Sequence, residues 1–186
     1  NYITNILELM QADSNTWDFS HKEFVNNALM NSKLLISSVN DFLDYFSISS
    51  NIFHVEEGHF IFEQIITESF NLFDFMAKSK NINYTLEYDK KIPLICYNDE
   101  KRIKQIILNL LNNAFKFTDT GSIKMKAKRI GKSGFVEISV KDTGIGIPEM
   151  KFSKLAIFSS DKSSQQTGGF GLCISNILTN YVGPQN

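Results

Sequence analysis

Cysteine is scarce: only Cys96 and Cys173 occur among 186 residues. They form no CxxC pair and match no metal-ligand spacing, so nothing points to a thiolate metal centre, and a reduced intracellular compartment is the ordinary expectation. Excess charge of either sign is also missing. Nineteen basic residues stand against 20 acidic ones, for a net charge of −1. That excludes the bulk basic field of a nucleic-acid or anionic-membrane binder. No apolar run reaches the roughly 18 residues that a membrane-spanning helix needs. No secretory pattern opens the chain, and no internal repeat is visible. What is present is 42% hydrophobic residues, enough for a sizeable core. The length suits one domain of ordinary size with a small extra module. The richness in Asn, Lys, Ile and Phe is a bias of composition.

Along the chain, Ile3, Ile6, Leu7 and Met10 form a helical stripe over residues 1–12. Residues 13–20 read as a loop through Asp13, Ser14, Asn15 and Asp18. A longer helical pattern follows, with Phe24, Ala28, Leu35, Phe42 and Phe46 spaced by threes, fours and sevens and Asn31 as a polar interruption. This spacing suits a helical hairpin or a bundle seam. The stretch Ser47–Asn51 marks a boundary. Beyond it the pattern alternates between helix and strand, as in an α+β fold. Phe60–Phe62 predicts a short strand and Phe62–Ala77 a helix. Tyr84–Tyr88 and Leu94–Tyr97 predict strands. Asn98 or Asp99 would cap a helix carrying Ile103, Ile106, Ile107, Leu110, Leu111, Ala114 and Phe115. A turn at Asp119–Gly121 leads to a strand over Ser122–Arg129. Gly131–Gly134 turns into a strand through Val136, Ile138 and Val140. Residues 149–168 are loop-rich, and a last helix begins near Gly171.

Three constellations carry possible chemistry. In the first, Asn109, Asn113 and Lys116 fall at i, i+4 and i+7 on one helical face. An amide oxygen is a hard neutral ligand suited to one position around Mg²⁺, and a lysine one turn on can meet a phosphate as a point charge. An amphipathic helix with a solvated Asn face would look the same. The second is Asp142-Thr-Gly144-Ile-Gly146-Ile-Pro148 after a strand. There a carboxylate could accept from an exocyclic amine, and glycines would let backbone approach a flat ligand. An ordinary strand-to-loop turn is the plain alternative. The third is Gly168-Gly169-Phe170-Gly171-Leu172 opening a helix, where backbone N–H groups could meet phosphate. No Gly-Lys-Ser/Thr follows, so it is not a P-loop. It follows a loop and not a strand, so it is not a Rossmann fingerprint.

In this order the three strings "QIILNLLNNAFKFT", "DTGIGIP" and "GGFGLCIS" resemble the N, G1 and G2 boxes of the histidine kinase ATP-binding domain, the GHKL or Bergerat fold. "KLLISSVNDFLDYFSI" resembles the second dimerisation helix of such kinases, of the hybrid type, and "YNDEKRIKQIILNLL" resembles the entry to the N box. The likeness covers essentially the whole chain. It implies a sensor histidine kinase with an α+β fold. Residues 1–50 would be a helical hairpin forming a dimeric four-helix bundle and lacking the H box. Residues 51–186 would be a Bergerat-fold α/β sandwich lacking its last strands, so that the chain is truncated at both ends.

The resemblance also implies roles. Asn113 would be a Mg²⁺ ligand, flanked by Asn109 and Lys116 at the metal and phosphates. Phe117 would lie against base or ribose. Asp142 would bond the adenine amino group, with Gly144 and Gly146 shaping the pocket. Gly169, Gly171 and Leu172 would belong to the phosphate side of the lid, and Phe158 resembles an aromatic of the F box. ATP and Mg²⁺ are the implied ligands. The implied partners are a second copy of the chain and a response regulator or receiver domain, with no nucleic acid. The implied location is the cytoplasm, whether free or as the cytoplasmic part of a membrane-bound receptor. Relatives that use a glutamate base commonly carry it four residues before the metal Asn. Asn109 cannot take a proton at neutral pH, which favours transfer to a histidine on another module.

Some features depart from the family pattern. The acceptor histidine is expected upstream of Asn1, so no catalytic residue is assigned within the chain and the fragment alone is expected to be inactive. His21, His54 and His59 lie off the expected position. The lid between Phe158 and Gly168 is short, Ala156 stands where an aromatic is expected, and Thr167 replaces the first glycine of the G2 pattern. These features leave open a nucleotide-binding regulatory pseudokinase.

Overall fold

The computed structural model describes residues 2–12, 19–50, 52–131, 134–146 and 170–183. Helix α1 (Tyr2–Ala12) and the long helix α2 (Phe19–Ser49) pack as an antiparallel hairpin. Thr4 Oγ1 lies 3.0 Å from Ser32 Oγ, Lys33 pairs with Glu8 at 2.9 Å, and Gln11 donates to Asn26 at 2.7 Å. The expected loop at 13–20 falls almost wholly outside the described residues. Val25, Leu29 and Met30 are buried. Phe24, Ala28, Leu35, Phe42 and Phe46 point outward, joined by Val39, Leu43 and, on α1, Ile3 and Leu9. The predicted stripe is thus a separate face from the one that packs within the chain.

Strand β1 (Gly58–Ile61) leads into α3 (Phe62–Leu72) and the short α4 (Asp74–Ser79). Periodicity predicts one unbroken helix over Phe62–Ala77, but the structure divides it in two. Phe73 sits between the two with φ −99° and ψ −2°. Its N–H bonds Phe70 O at 3.1 Å, and its ring, fully buried, stacks on Phe115 at 5.0 Å. Apolar periodicity continues through such a break, so only the packing of that ring reveals it.

Strands β2 (Asn83–Tyr88), β4 (Ser122–Ile130) and β5 (Phe135–Asp142) form one sheet in the order β2-β4-β5, the first pair parallel and the second antiparallel. Strand β3 (Ile95–Asn98) pairs with β1 in a separate antiparallel ribbon. Along β4, Ile123, Met125 and Ala127 are buried. Lys124 and Lys126 alternate to the other face and pair there with Glu87, as the two-residue pleat requires. The buried face of the sheet is covered by α3, α4 and α5 (Glu100–Phe117), whose Ile65, Ile66, Ile107, Leu111 and Phe115 complete the core. The final helix, α6 (Phe170–Val182), packs on α5 and α2 through the fully buried Ile174 and Leu178. Among the described residues no helix is long and apolar enough to cross a membrane.

Candidate functional site

Helix α5 begins at a built cap. Asp99, not Asn98, is the cap residue. Its buried carboxylate accepts the Arg102 N–H at 3.1 Å and the Glu56 N–H at 2.8 Å. Asn98 instead donates from its amide to Val182 O at 2.9 Å, fastening the end of α6 to the start of α5. Further along, Asn109 lies beside Ser175 of α6, its Nδ2 3.3 Å from Ser175 Oγ. Residue numbers rise along α5 as they fall along α6, so the two helices run antiparallel. The first turn of α6, with Gly171 and Leu172, therefore lies toward the C-terminal end of α5, where Asn113 and Lys116 are.

Asn113 is half-buried and donates from Nδ2 to Asn109 O at 2.9 Å. Its amide nitrogen is thereby committed, and among the described residues its oxygen has no partner. Lys116 is exposed, with Nζ 5.3 Å from the centre of the half-open Phe117 ring. The loop after β5 meets the same end of α5. Ile145 N–H bonds Phe117 O at 3.2 Å. At Gly144 an added Cβ would lie 2.2 Å from Phe117 O and 2.9 Å from Thr118 Oγ1. This contact demands glycine there, before any ligand is considered. Gly146 is the different case: φ is +69°, and a Cβ would meet nothing within 4 Å. Asp142 is exposed at the end of β5, and its Oδ1 accepts the Gly144 N–H at 2.9 Å. This bond orients the carboxylate and leaves its second oxygen for another donor. Asn113, Lys116, Phe117, Asp142, Gly144 and Gly146 are brought to one end of α5. Phe158 and Gly169 lie outside the described residues.

Asn109 departs from a solvated amide face. It is only 6% exposed, and its Nδ2 also lies 3.5 Å from Asp41 Oδ1 of α2. Around it is a buried polar cluster that pattern reading did not pick out. Arg102 Nη1 bonds Asp44 Oδ2 at 2.5 Å and Gln105 Oε1 at 3.0 Å. Gln105 Nε2 donates to Asp41 Oδ1 at 2.6 Å and Asp44 Oδ2 at 2.8 Å. Burial pushes the Asp41 carboxyl above its ordinary value; hydrogen bonds from Gln105 and Asn109 pull it back, Asp44 raises it and Arg102 lowers it. The available signal was two carboxylates at i and i+3 within an otherwise apolar stretch of α2, opposite Arg102 and Gln105 at the same spacing on α5.

Comparison with known proteins gives a consistent family. Residues 98–184 match the model of the histidine kinase-, DNA gyrase B- and HSP90-like ATPases. The chain is 30% identical over 176 residues to hybrid signal transduction histidine kinase B of Dictyostelium discoideum, covering 90% of this chain and 9% of that protein. It is 30% identical over 172 residues to the histidine-protein kinase BarA of Escherichia coli, covering 88% of this chain and 19% of that one. The chain thus spans under one fifth of the length of these relatives. Among solved structures, full-length ShkA in complex with AMPPNP superposes with a TM-score of 0.64 at 25% identity, covering 95% of this chain and 37% of that one. The catalytic domain of histidine kinase ThkA gives 0.55 at 31% identity, covering 68% of this chain and 82% of that one. With Asn113, Lys116 and the Asp142–Gly146 loop at one end of α5, the chain belongs to the sensor histidine kinases and carries their GHKL-type ATP-binding catalytic domain.

Proposed function

We propose that residues 51–186 bind Mg·ATP at the C-terminal end of α5, and that residues 1–50 join two copies in a four-helix bundle. The γ-phosphoryl group then passes to a histidine other than the three in this sequence, for relay to an aspartate of a response regulator or receiver domain in the cytoplasm. The observation that carries this reading is the convergence of Asn113, Lys116 and the Asp142–Gly146 loop, locked by Ile145 N–H on Phe117 O.

Asp142, Asn113, Lys116 and Phe117 each have a task that their surroundings suit. Asp142 reads the adenine amine with the oxygen not held by Gly144 N–H. The amide oxygen of Asn113, without a partner among the described residues, is a hard neutral donor and fits Mg²⁺ as one ligand among phosphate and water oxygens. Lys116 is free to swing from the Phe117 ring onto phosphate, and Phe117 offers an exposed ring face to base or ribose. Asn109 stands one turn before Asn113, and Gly169, Gly171, Leu172 and Phe158 would close the phosphate side. When bound, Mg²⁺ neutralises phosphate charge, and the protein's own contribution is positioning. An imidazole nitrogen attacks the γ-phosphorus in line as the bond to the β,γ-bridging oxygen breaks, and ADP leaves. The test is acid-labile label from γ-labelled ATP on a longer chain that includes residues preceding Asn1, and none on these 186 residues. A longer chain that binds Mg·ATP and never takes label would make the protein a nucleotide-binding regulatory pseudokinase. ThkA has been crystallised with the response regulator TrrA, at 26% identity to this chain, which supports a regulator as partner.

A further inference from the structure

We propose that Lys80 is a positioning residue for the adenine loop, holding the carbonyl end of α5 against which Asp142–Gly146 is set. The adenine part rests on the ATP reading above. The last carbonyls of a helix have no partner within it. A glycine in the left-handed region commonly turns the chain back to satisfy them. Helix α5 has no such residue: Thr118, which follows Phe117, is extended at φ −113° and ψ 114°. Its carbonyls are met from elsewhere. Lys80 Nζ donates to Phe115 O at 2.8 Å and to Thr118 O at 3.1 Å. Ile145 N–H takes Phe117 O between them. One ammonium and one loop amide thus close the same helix end, and a cation suits the negative pole of the helix dipole.

The turn after α4 delivers Lys80 to this place. Ile82 N–H bonds Ala77 O at 2.9 Å, and Asn81 takes the left-handed φ of +53°, a helix stop that asparagine tolerates. Asn83 then opens β2 and donates its N–H to Gly121 O at 2.9 Å. The segment that receives it also carries the loop. Thr143 Oγ1 accepts the Ser122 N–H at 3.0 Å, and Thr143 N–H bonds Ser122 O at 3.1 Å. A Cβ on Gly121 would lie 2.2 Å from Thr143 Oγ1. Residues 118–122 therefore have Lys80 on one side and the loop on the other. Lys80 also pairs with Asp119 at 3.5 Å, but that carboxylate is 92% exposed, and so open an ion pair contributes little. The carbonyls are what the ammonium serves. Phe115 and Thr118 are fully buried, and a buried acceptor left unpaired is costly. Without Lys80 the chain relieves that cost by shifting residues 117–119, and Phe117 O moves away from Ile145.

Amide solvent exchange followed by NMR tests this on the 186-residue chain without ligand. Lys80→Met keeps the stem and removes the donor. Ile145 N–H should exchange about ten-fold faster than in the parent, the scale on which losing a charged hydrogen bond shifts an equilibrium, while Met125 N–H in β4 stays parent-like. Asp119→Asn should leave both unchanged. Should Lys80→Met not fold, Lys80→Gln, neutral and one atom shorter, serves the same comparison. Parent-like exchange at Ile145 in a folded variant overturns the role. Equal acceleration at Ile145 and Met125 is a general loss of stability and overturns it too, as does Asp119→Asn matching Lys80→Met. Titrations form the second arm. Adenosine and Mg·ATP should weaken by the same factor, about five-fold or more, the lower end of ordinary coupling between sites, because the loop meets the base they share. A loss for Mg·ATP alone makes Lys80 a phosphate contact and overturns the positioning role. Unchanged affinity for both overturns the adenine part. Faster exchange at Ile145 when even the parent binds neither keeps the hold on the loop and removes the ATP reading instead.

Discussion

At Gly144 a single methyl group has no place to go. Its carbon would lie 2.2 Å from the Phe117 carbonyl oxygen, a backbone atom that cannot swing aside. Gly144→Ala should therefore separate the loop from α5 and cost about 1–3 kcal/mol, as overpacking does, read as a lowered Tm together with weakened nucleotide binding. Gly146→Ala meets no atom, but its φ of +69° costs about 1 kcal/mol, and a smaller fall in Tm is expected. Asp142→Asn should weaken ATP far more than GTP, because only adenine offers the amine. Losing a charge-assisted hydrogen bond costs about 1.5–3 kcal/mol, or roughly 10- to 100-fold in Kd. Calorimetry giving parent-like ATP affinity would remove Asp142 from the base site. Asn113→Ala should abolish the gain in affinity that Mg²⁺ brings and leave metal-free adenosine binding nearly intact. Equal losses with and without Mg²⁺ would make Asn113 structural. The chemical type of these residues could be read from the string. That Gly144 serves helix packing first, and that Asn109 is buried against α2, could not, because both depend on elements distant in sequence.

Among the elements, α5 shows how local and distant demands meet at one residue. Asp99 caps the helix with one oxygen and holds the Glu56 N–H with the other. Asp99→Ala should cost about 1–3 kcal/mol, from the lost cap and from an unpaired N–H. Asp99→Asn keeps one acceptor and should recover part of it. Equal melting of both variants and the parent would show the cap to be idle. The periodicity of α5, β4 and β5 placed these elements closely because one face of each is buried and the other solvated. The break at Phe73 escaped the same reasoning, since α3 and α4 bury apolar residues on both sides of it.

For the whole molecule, the outward stripe of α2 is the surface on which the proposed assembly rests. Phe24 is 75% and Leu35 66% exposed, and the buried Val25, Leu29 and Met30 occupy a different face. Burying the stripe in a second copy removes water from large apolar side chains. The parent should form concentration-dependent dimers by light scattering. Leu35→Glu/Phe42→Glu should be monomeric while keeping the parent's nucleotide affinity. A monomeric parent at high concentration would count against the bundle.

By itself, the sequence determined which segments are helix and strand and which side chains could hold adenine, metal and phosphate. Those properties follow from local periodicity, capping and residue chemistry. The order of the three strings determined the family. Tertiary structure decided the rest: which polar residues of α5 face the proposed ligand and which face α2, where the helix before β2 breaks, and which stripe of α2 remains open. A buried carboxylate and a solvated one are the same letter. Only the arrival of Gln105 and Asn109 beside Asp41, 64 and 68 residues away along the chain, makes that aspartate part of a buried polar cluster.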